Sequence, residues 1–108
     1  MSAAPRFDPV LHAIGRLQIC AVLSAVDEAE FATLRDTVGV SDSVLSKHLK
    51  QLEEAGYVRL RKQACDGRQR TWVGLAAAGT AAFAAHVAEL TRLAGVAAAP
   101  ADGQGFVG

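Results

Sequence analysis

The sequence predicts a mainly α-helical domain that carries one small β-hairpin, an α+β fold class. Residues 41–55 place apolar side chains at helical spacing, and residues 58–75 alternate apolar and polar side chains around a turn. At 108 residues and 51% hydrophobic content, the chain has the size of one domain with a modest core. We expect a flexible arm at 1–7, a single domain at 8–94 and a flexible tail of small residues at 95–108.

The first helix is predicted to begin at Asp8. An aspartate followed by Pro9 is typical of a helix start, because proline at the first helical position lacks an amide that would be unpaired there anyway. Apolar residues continue at helical spacing to Leu23, and Gly15 is a candidate break between two short helices. Residues 17–26 are apolar on most sides, which indicates burial against the core and against a second subunit.

A short helix is predicted after a polar connection at residues 27–30. Phe31, Leu34 and Val38 lie at i, i+3 and i+7, so they form one apolar face. Gly39 is suited to end this helix in a left-handed conformation. A second helix follows within one to three residues, and two helices joined by a tight glycine-containing turn form a helix-turn-helix.

The second helix of the pair has the clearest signals in the chain. Ser41 is suited to cap it, Gly56 follows as a left-handed stop, and its apolar stripe consists of Leu45, Leu49 and Leu52. Away from this stripe lie four donor side chains: Ser43, Ser46, Lys47 and Lys50. Small hydroxyls and cations suit a helix that enters the major groove of DNA, and the plain alternative is a solvated helix face. Asp42 would repel phosphate, and we expect it to complement the helix dipole rather than to accept from a cytosine amino group.

Residues 58–75 predict a hairpin with one apolar face. Asp66 and Gly67 form a favoured two-residue turn, since both positions can take positive φ. The register centred on this turn sets Leu60 opposite Val73 and Val58 opposite Leu75. After the hairpin, a last helix is predicted from about Thr80, with Phe83, Val87, Leu90 and Ala94 on one face.

The segment LSKHLKQLEEAGYV, with the elements around it, resembles the recognition helix of small bacterial winged-helix regulators of the MarR and ArsR families. The resemblance runs from about Asp8 to about Leu93 and implies a winged helix-turn-helix, in which the hairpin is the wing. It also implies dimerisation through the first and last helices, and that His48 packs beneath the recognition helix. The residues expected at the dimer interface are Leu11, Ile14, Phe83, Val87 and Leu90.

The charges are unevenly distributed along a chain whose net charge is zero. Residues 47–70 hold seven basic groups against three acidic ones, a local charge of +4, which is the footprint expected of a DNA-binding face. Taken singly, each cation also has an explanation that does not involve DNA: it belongs to a solvated helix face or to a charged hairpin edge that opposes aggregation. The DNA-binding residues we predict are Ser41, Ser43, Ser46, Lys47, Lys50, Arg61, Lys62, Arg68 and Arg70.

No motif in the sequence predicts catalysis, a cofactor or a metal site. His86 and Glu89 lie at i and i+3 on the last helix, but no second pair of ligands matches them, so we expect surface or dimer-interface positions for both. Cys20 falls on an apolar helix face and should be a buried, inert thiol, whereas Cys65 beside the turn should be exposed. The sequence shows neither a membrane-spanning run nor a signal peptide, so we expect a cytoplasmic protein.

These observations together favour a sequence-specific DNA-binding transcriptional regulator, most simply a repressor. The homodimer would bind a pseudo-palindromic operator, with helix 41–55 in the major groove and the wing at 58–75 on the minor groove or backbone. The alternative is a winged helix that docks an acidic protein partner, because a fold does not impose a function. No residue set in the sequence marks a pocket for a small-molecule effector.

Overall fold

The computed structural model describes residues 7–98, and only the helical backbone of residues 96–98. In chain order this part contains α1 (Ile14–Leu23), β1 (Ala29–Glu30), α2 (Phe31–Val38), α3 (Asp42–Glu54), β2 (Val58–Cys65), β3 (Arg68–Leu75) and α4 (Ala77–Ala98). The predicted class, mainly α with a small antiparallel hairpin, is confirmed. Residues 1–6 of the predicted arm and residues 99–108 of the predicted tail lie outside the described residues.

The core forms where α1 packs against α2, α3, α4 and the sheet. The apolar side chains of its fully buried cluster are Leu11, Ile19, Cys20, Leu23, Leu34, Leu45, Leu49, Leu52, Val58 and Val73. The three leucines of α3 belong to this cluster, so the stripe predicted from their spacing is the buried face of that helix. The opposite face of α3 is left to solvent.

The hairpin has the predicted register. Val58 pairs with Leu75 and Leu60 with Val73, and both turn residues, Asp66 and Gly67, adopt positive φ of 53° and 76°. Such a turn matches the twist of the two strands and fixes which side chains face the core.

The sheet has a third strand that the sequence analysis missed. Ala29 pairs with Val73 and Glu30 with Trp72, so the polar connection predicted at 27–30 contains β1, which lies beside β3 in the order β1-β3-β2. A two-residue strand is too short to show an alternating pattern, and only its partner strand reveals it.

The predicted start of the first helix at Asp8 is wrong. Asp8 instead caps a single turn, because its Oδ1 accepts from the amides of Val10 at 2.8 Å and Leu11 at 3.4 Å. The chain is then extended at Ala13, and α1 begins at Ile14. Gly15 lies inside α1 and does not break it; a Cβ at that position would come 2.6 Å from Nε2 of His48, so glycine permits the close approach of α1 and α3.

The last helix is longer than predicted at both ends. It begins at Ala77, where a Cβ on Gly79 would lie 2.0 Å from the carbonyl oxygen of Tyr57. This glycine therefore allows the first turn of α4 to pack against the chain that follows α3. The helix continues to Ala98, so residues 95–98 belong to it and not to a tail; alanine is the best helix former, and the segment is rich in it.

Candidate nucleic-acid interface

The helix-turn-helix is built as its capping residues predict. Gly39 ends α2 in a left-handed conformation at φ 79°, and two residues later Ser41 caps α3. The Ser41 hydroxyl accepts from the backbone amide of Val44 at 3.2 Å, which satisfies one amide of the first turn. Gly56, at φ 80°, follows the end of α3. These features hold α3 at a fixed angle, with its first turn at the surface.

The outer face of α3 carries the predicted donors. Ser43, Ser46, Lys47 and Lys50 are all exposed. The same face also carries Val44 and Gln51, which the sequence analysis did not include among the candidate residues. Valine is usually taken as a core residue, and only the structure shows that this one is outside the buried stripe.

Asp42 has a structural partner that neither sequence interpretation considered. Its Oδ1 accepts from Nη1 of Arg35 on α2 at 2.8 Å, and the same guanidinium also binds Asp36. The hydrogen bonds that Arg35 donates to the two carboxylates raise the pKa of Arg35 above its ordinary value, so the guanidinium stays charged. Asp42 therefore links the two helices of the helix-turn-helix, and part of its negative charge is compensated within the protein.

Two of the predicted wing cations are bound by acidic residues next to or in β1. Arg61 forms a two-point ion pair with Glu28, with Nη2 to Oε1 at 2.7 Å, and its guanidinium lies 5.8 Å from the ring centroid of Trp72. The hydrogen bond from Arg61 lowers the pKa of the Glu28 carboxyl. Arg70 binds both carboxylate oxygens of Glu30 at 3.3 Å. These acids partly neutralise one flank of the wing.

The other predicted cations are unpaired. Among residues 7–98, no ion pair involves Lys47, Lys50, Lys62 or Arg68, and all four side chains are exposed. Lys50 of α3 and Lys62 of the hairpin both line a cleft of about 300 Å³ between these two elements. Ser46 and Thr71 add hydroxyls to the same cleft. The structure thus brings together three predicted DNA-binding residues from the helix and the wing.

His48 packs beneath α3 as the family resemblance implies. It is half-buried against Gly15 of α1, and its Nδ1 is buried without a hydrogen-bond partner among the described residues. Burial is the main cause that lowers the pKa of His48, and the charges of Arg16 and Lys47 lower it further. A neutral imidazole is therefore favoured at this contact.

The expectation of a surface or interface position for His86 is wrong. Its side chain is 2% exposed and lies in a ring cluster with Phe7 and His12, so Phe7 packs on the domain and is not part of a free arm. The His86 Nδ1 accepts from the backbone amide of Asp8 at 3.4 Å. The Asp8 carboxylate in turn accepts a hydrogen bond from the Tyr57 hydroxyl. This bond connects the start of the domain to the segment that follows α3. No group of three or more His, Cys, Asp or Glu within the described chain is arranged to hold a metal ion.

The residues predicted at the dimer interface separate into two groups. Leu11 is 0% exposed and is a core residue, so it has no surface to offer a second subunit. Phe83 is half-buried and packs on the core. Ile14, Val87 and Leu90 are exposed apolar side chains, with Ile14 exposed by 72%.

The two thiols differ as the sequence predicts. Cys20 is buried, and burial raises the pKa of its thiol to about 11. Cys65 is exposed at the end of β2, beside the hairpin turn. None of the helices in the described residues combines the length and apolar character needed to cross a membrane.

A helix-turn-helix followed by a hairpin, with cations on both, defines the winged-helix class of DNA-binding domain. The chain belongs to the winged helix DNA-binding domain family, whose model matches residues 15–94. Over 84 residues it is 31% identical to an uncharacterized protein, MJ0432, of Methanocaldococcus jannaschii, and the match covers 78% of this chain and 91% of that protein.

Solved structures of transcriptional regulators share the fold. A transcriptional regulator homologue from Pyrococcus horikoshii superposes with a TM-score of 0.78 at 24% identity, over 82% of this chain and 87% of that chain. A MarR-family regulator from Silicibacter pomeroyi superposes with a TM-score of 0.60 at 26% identity, over 81% of this chain and 57% of that chain. The regulator MOSR of M. tuberculosis, solved with DNA, superposes with a TM-score of 0.66 at 23% identity, over 89% of this chain and 68% of that chain. The family is thus one of winged helix DNA-binding domains, and the fold is one that these transcriptional regulators share.

Proposed function

We propose that the protein binds a specific pseudo-palindromic DNA site as a homodimer and represses transcription by obstructing polymerase. The observation that carries this proposal is the exposed donor surface that α3 and the wing form together, whose lysine and arginine members form no ion pair within residues 7–98. Its members on α3 are Ser43, Ser46, Lys47 and Lys50, and those on the hairpin are Lys62 and Arg68. The DNA complex of the M. tuberculosis regulator supports the use of this fold on DNA.

In this proposal α3 enters the major groove with its first turns. Hydroxyl and ammonium groups there donate to base edges, while Ser41 and the free amides of the helix start lie near a phosphate. Lys50 and Lys62 both line the cleft between helix and wing, so a phosphate bound in this cleft would be attracted by both ammonium groups, while Glu53 lines the same cleft.

Of the four predicted wing cations, Lys62 and Arg68 form no ion pair within residues 7–98, whereas Arg61 and Arg70 are paired. Arg68 follows the turn directly and is available to the minor groove or the backbone. Arg61 and Arg70 already bind Glu28 and Glu30, so each would have to exchange or share its carboxylate to contact a phosphate. We therefore assign Lys62 and Arg68 the larger part of the wing's contribution.

The second subunit would cover the exposed apolar side chains of the first and last helices. Ile14, Val87 and Leu90 are the exposed members of the predicted interface, Phe83 is half-buried, and Leu11 is excluded by its burial. Two subunits related by a two-fold axis would place their α3 helices in half-sites about one helical turn apart.

A regulator of this kind would act in the cytoplasm. A cleft of about 520 Å³, lined by Leu23 and Phe83 among others, has room for a small effector.

The alternative, a docking module for an acidic protein, is less well supported. Small hydroxyls on α3 and an arginine directly after the wing turn suit bases and phosphates, and an acidic protein surface would require neither. The family to which the chain belongs is also one of DNA-binding domains.

The test is selection of bound duplexes from a random DNA library at about physiological salt, where non-specific charge binding is weak. We expect enrichment of an inverted repeat by the natural protein and its loss in a Lys47→Ala/Lys50→Ala variant. Arg92→Ala is the matched control, because Arg92 lies on α4 and pairs with Glu89. A folded protein that enriches no sequence would contradict the proposal and favour the docking alternative.

A further inference from the structure

One exposed apolar side chain on α3, that of Val44, lies outside the core of the domain. Val44 occupies the first turn of the helix, where its amide donates to the capping hydroxyl, and its side chain is 42% exposed. It belongs neither to the buried cluster nor to the apolar residues packed against it. Valine is also a poorer helix former than alanine, lysine or glutamine, so neither packing nor helix propensity explains a valine here.

The position of Val44 places it among the polar donors. Lys47 and Gln51 follow it at i+3 and i+7, so the three side chains form one stripe along the exposed face of α3. Ser43 is its neighbour in sequence and is exposed as well. In a helix-turn-helix, the residues at the start of the second helix are those that contact base edges. Val44 therefore lies at the part of α3 that the proposed function places in the major groove.

The major groove contains one apolar group, the 5-methyl of thymine. Hydroxyl and ammonium groups gain little from contact with this methyl group. The two methyl groups of an exposed valine, in contrast, can displace water from it. We propose that Val44 contacts the 5-methyl group of a thymine in each half-site and selects thymine over cytosine at that position. This assignment rests on the proposed function, because it requires α3 to lie in the major groove.

A protein partner fits this side chain less well. Val44 is a single apolar residue among Ser43, Lys47 and Gln51, and a protein-binding patch normally extends over several adjacent apolar residues. The cations beside it, Lys47 and Lys50, are complementary to the phosphates that line a groove. The neighbourhood of Val44 is therefore that of a base contact in a charged groove.

The experiment replaces thymine by deoxyuridine, one position at a time, in the duplex that the natural protein selects. This change removes the 5-methyl group alone and leaves the base pair and its hydrogen-bonding groups intact. We expect one thymine in each half-site whose replacement weakens binding by about four-fold, the effect of one methyl group taken out of an apolar contact. In the homodimer, Val44→Ala removes this contact from both half-sites, so it should weaken binding to the thymine duplex by about 16-fold and bind the thymine and uracil duplexes equally.

Two controls separate this effect from loss of structure. Val44→Ala replaces an exposed residue by a better helix former, so its melting temperature should stay the same or rise. Val26→Ala removes a valine of similar exposure, 47%, outside α3, and should keep the preference for thymine. The uracil series and the melting curves use the same protein samples.

The outcomes are distinguishable. If Val44→Ala binds DNA and still prefers thymine to uracil at every position as the natural protein does, the role of Val44 is refuted while the proposed function stands. If Val44→Ala instead changes the association of the chain with itself or with a protein, the side chain belongs to that interface. If the natural protein binds no duplex selectively, the proposed function fails, and this inference fails with it.

Discussion

Replacing Arg68 by alanine tests the electrostatic part of the proposal most clearly. Arg68 is exposed at the start of β3, directly after the turn, and it forms no ion pair with any residue from 7 to 98. Its loss therefore removes a cation without freeing a carboxylate. Arg92 provides a matched control, because it is an arginine on α4 that is paired with Glu89.

The magnitude follows from counterion release. Each phosphate contact contributes about −0.9 to the slope of log affinity against log salt, so one contact per subunit gives about −1.8 for a dimer. Between about 50 and 200 mM salt, a slope smaller by 1.8 reduces the loss of affinity by about 12-fold. Because phosphates carry no sequence information, the effect should be the same for selected and random duplexes.

The assay is a fluorescence anisotropy titration of the selected duplex at four or more salt concentrations. We expect the Arg68→Ala line to be shallower than that of the natural protein, while Arg92→Ala remains parallel to it. An unchanged slope for Arg68→Ala would refute the reasoning, because it would show that the tip of the wing does not contact phosphate.

Three further predictions concern the ion pairs, the glycines and the half-buried imidazole of His48. Glu28→Gln frees Arg61, so DNA binding should tighten and its salt dependence should steepen; weaker binding in the same titration would mean that Glu28 positions Arg61 for DNA. Gly79→Ala should destabilise the domain by at least about 1–3 kcal/mol in urea unfolding, since the new Cβ would lie 2.0 Å from the Tyr57 carbonyl oxygen. Gly95→Ala, on the same helix with nothing within 4 Å, should be neutral or stabilising by up to about 1 kcal/mol, and equal losses for both variants would contradict the packing of α4. Because the folded state lowers the pKa of His48 below 6.5, the unfolded chain binds the proton more readily, and stability should be complete above pH 6.5 and fall as the pH drops below it. Urea unfolding of His48→Gln should show a smaller fall over this range than the natural protein, and an identical pH profile would exclude His48 as its source.

The elements with strong local signals were predictable from the sequence. The Asp66 and Gly67 pair specifies a turn with two positive φ angles, and this turn alone fixes the register of the hairpin. The cap at Ser41 and the leucine spacing of α3 identify both the bounds and the buried face of that helix. The exposed donors of α3 follow from the same periodicity, because what the core does not use is left to solvent.

The features that depend on distant contacts were not predictable. β1 exists because β3 pairs with it, and the two residues of β1 carry no pattern of their own. The partners of Arg61 and Arg70 come from the segment next to α2, more than thirty positions earlier in the chain, so the charge of the wing was overestimated from sequence. His86 is buried because Phe7 and Asp8 pack over it, and helical spacing alone did not indicate this contact.

The central claim is that a pair of these domains lies on an inverted repeat with the wings on the flanking DNA. Cys65 allows a direct measurement, because it is exposed on the wing while Cys20 is buried with a thiol pKa raised to about 11. A DNA-cleaving iron chelate attached to Cys65 of the otherwise natural protein, incubated with the selected duplex, reports where the wing lies. We predict two clusters of cuts, related by the symmetry of the repeat and outside the two sites occupied by α3. A single cluster, or cuts scattered evenly along the duplex, would contradict this arrangement.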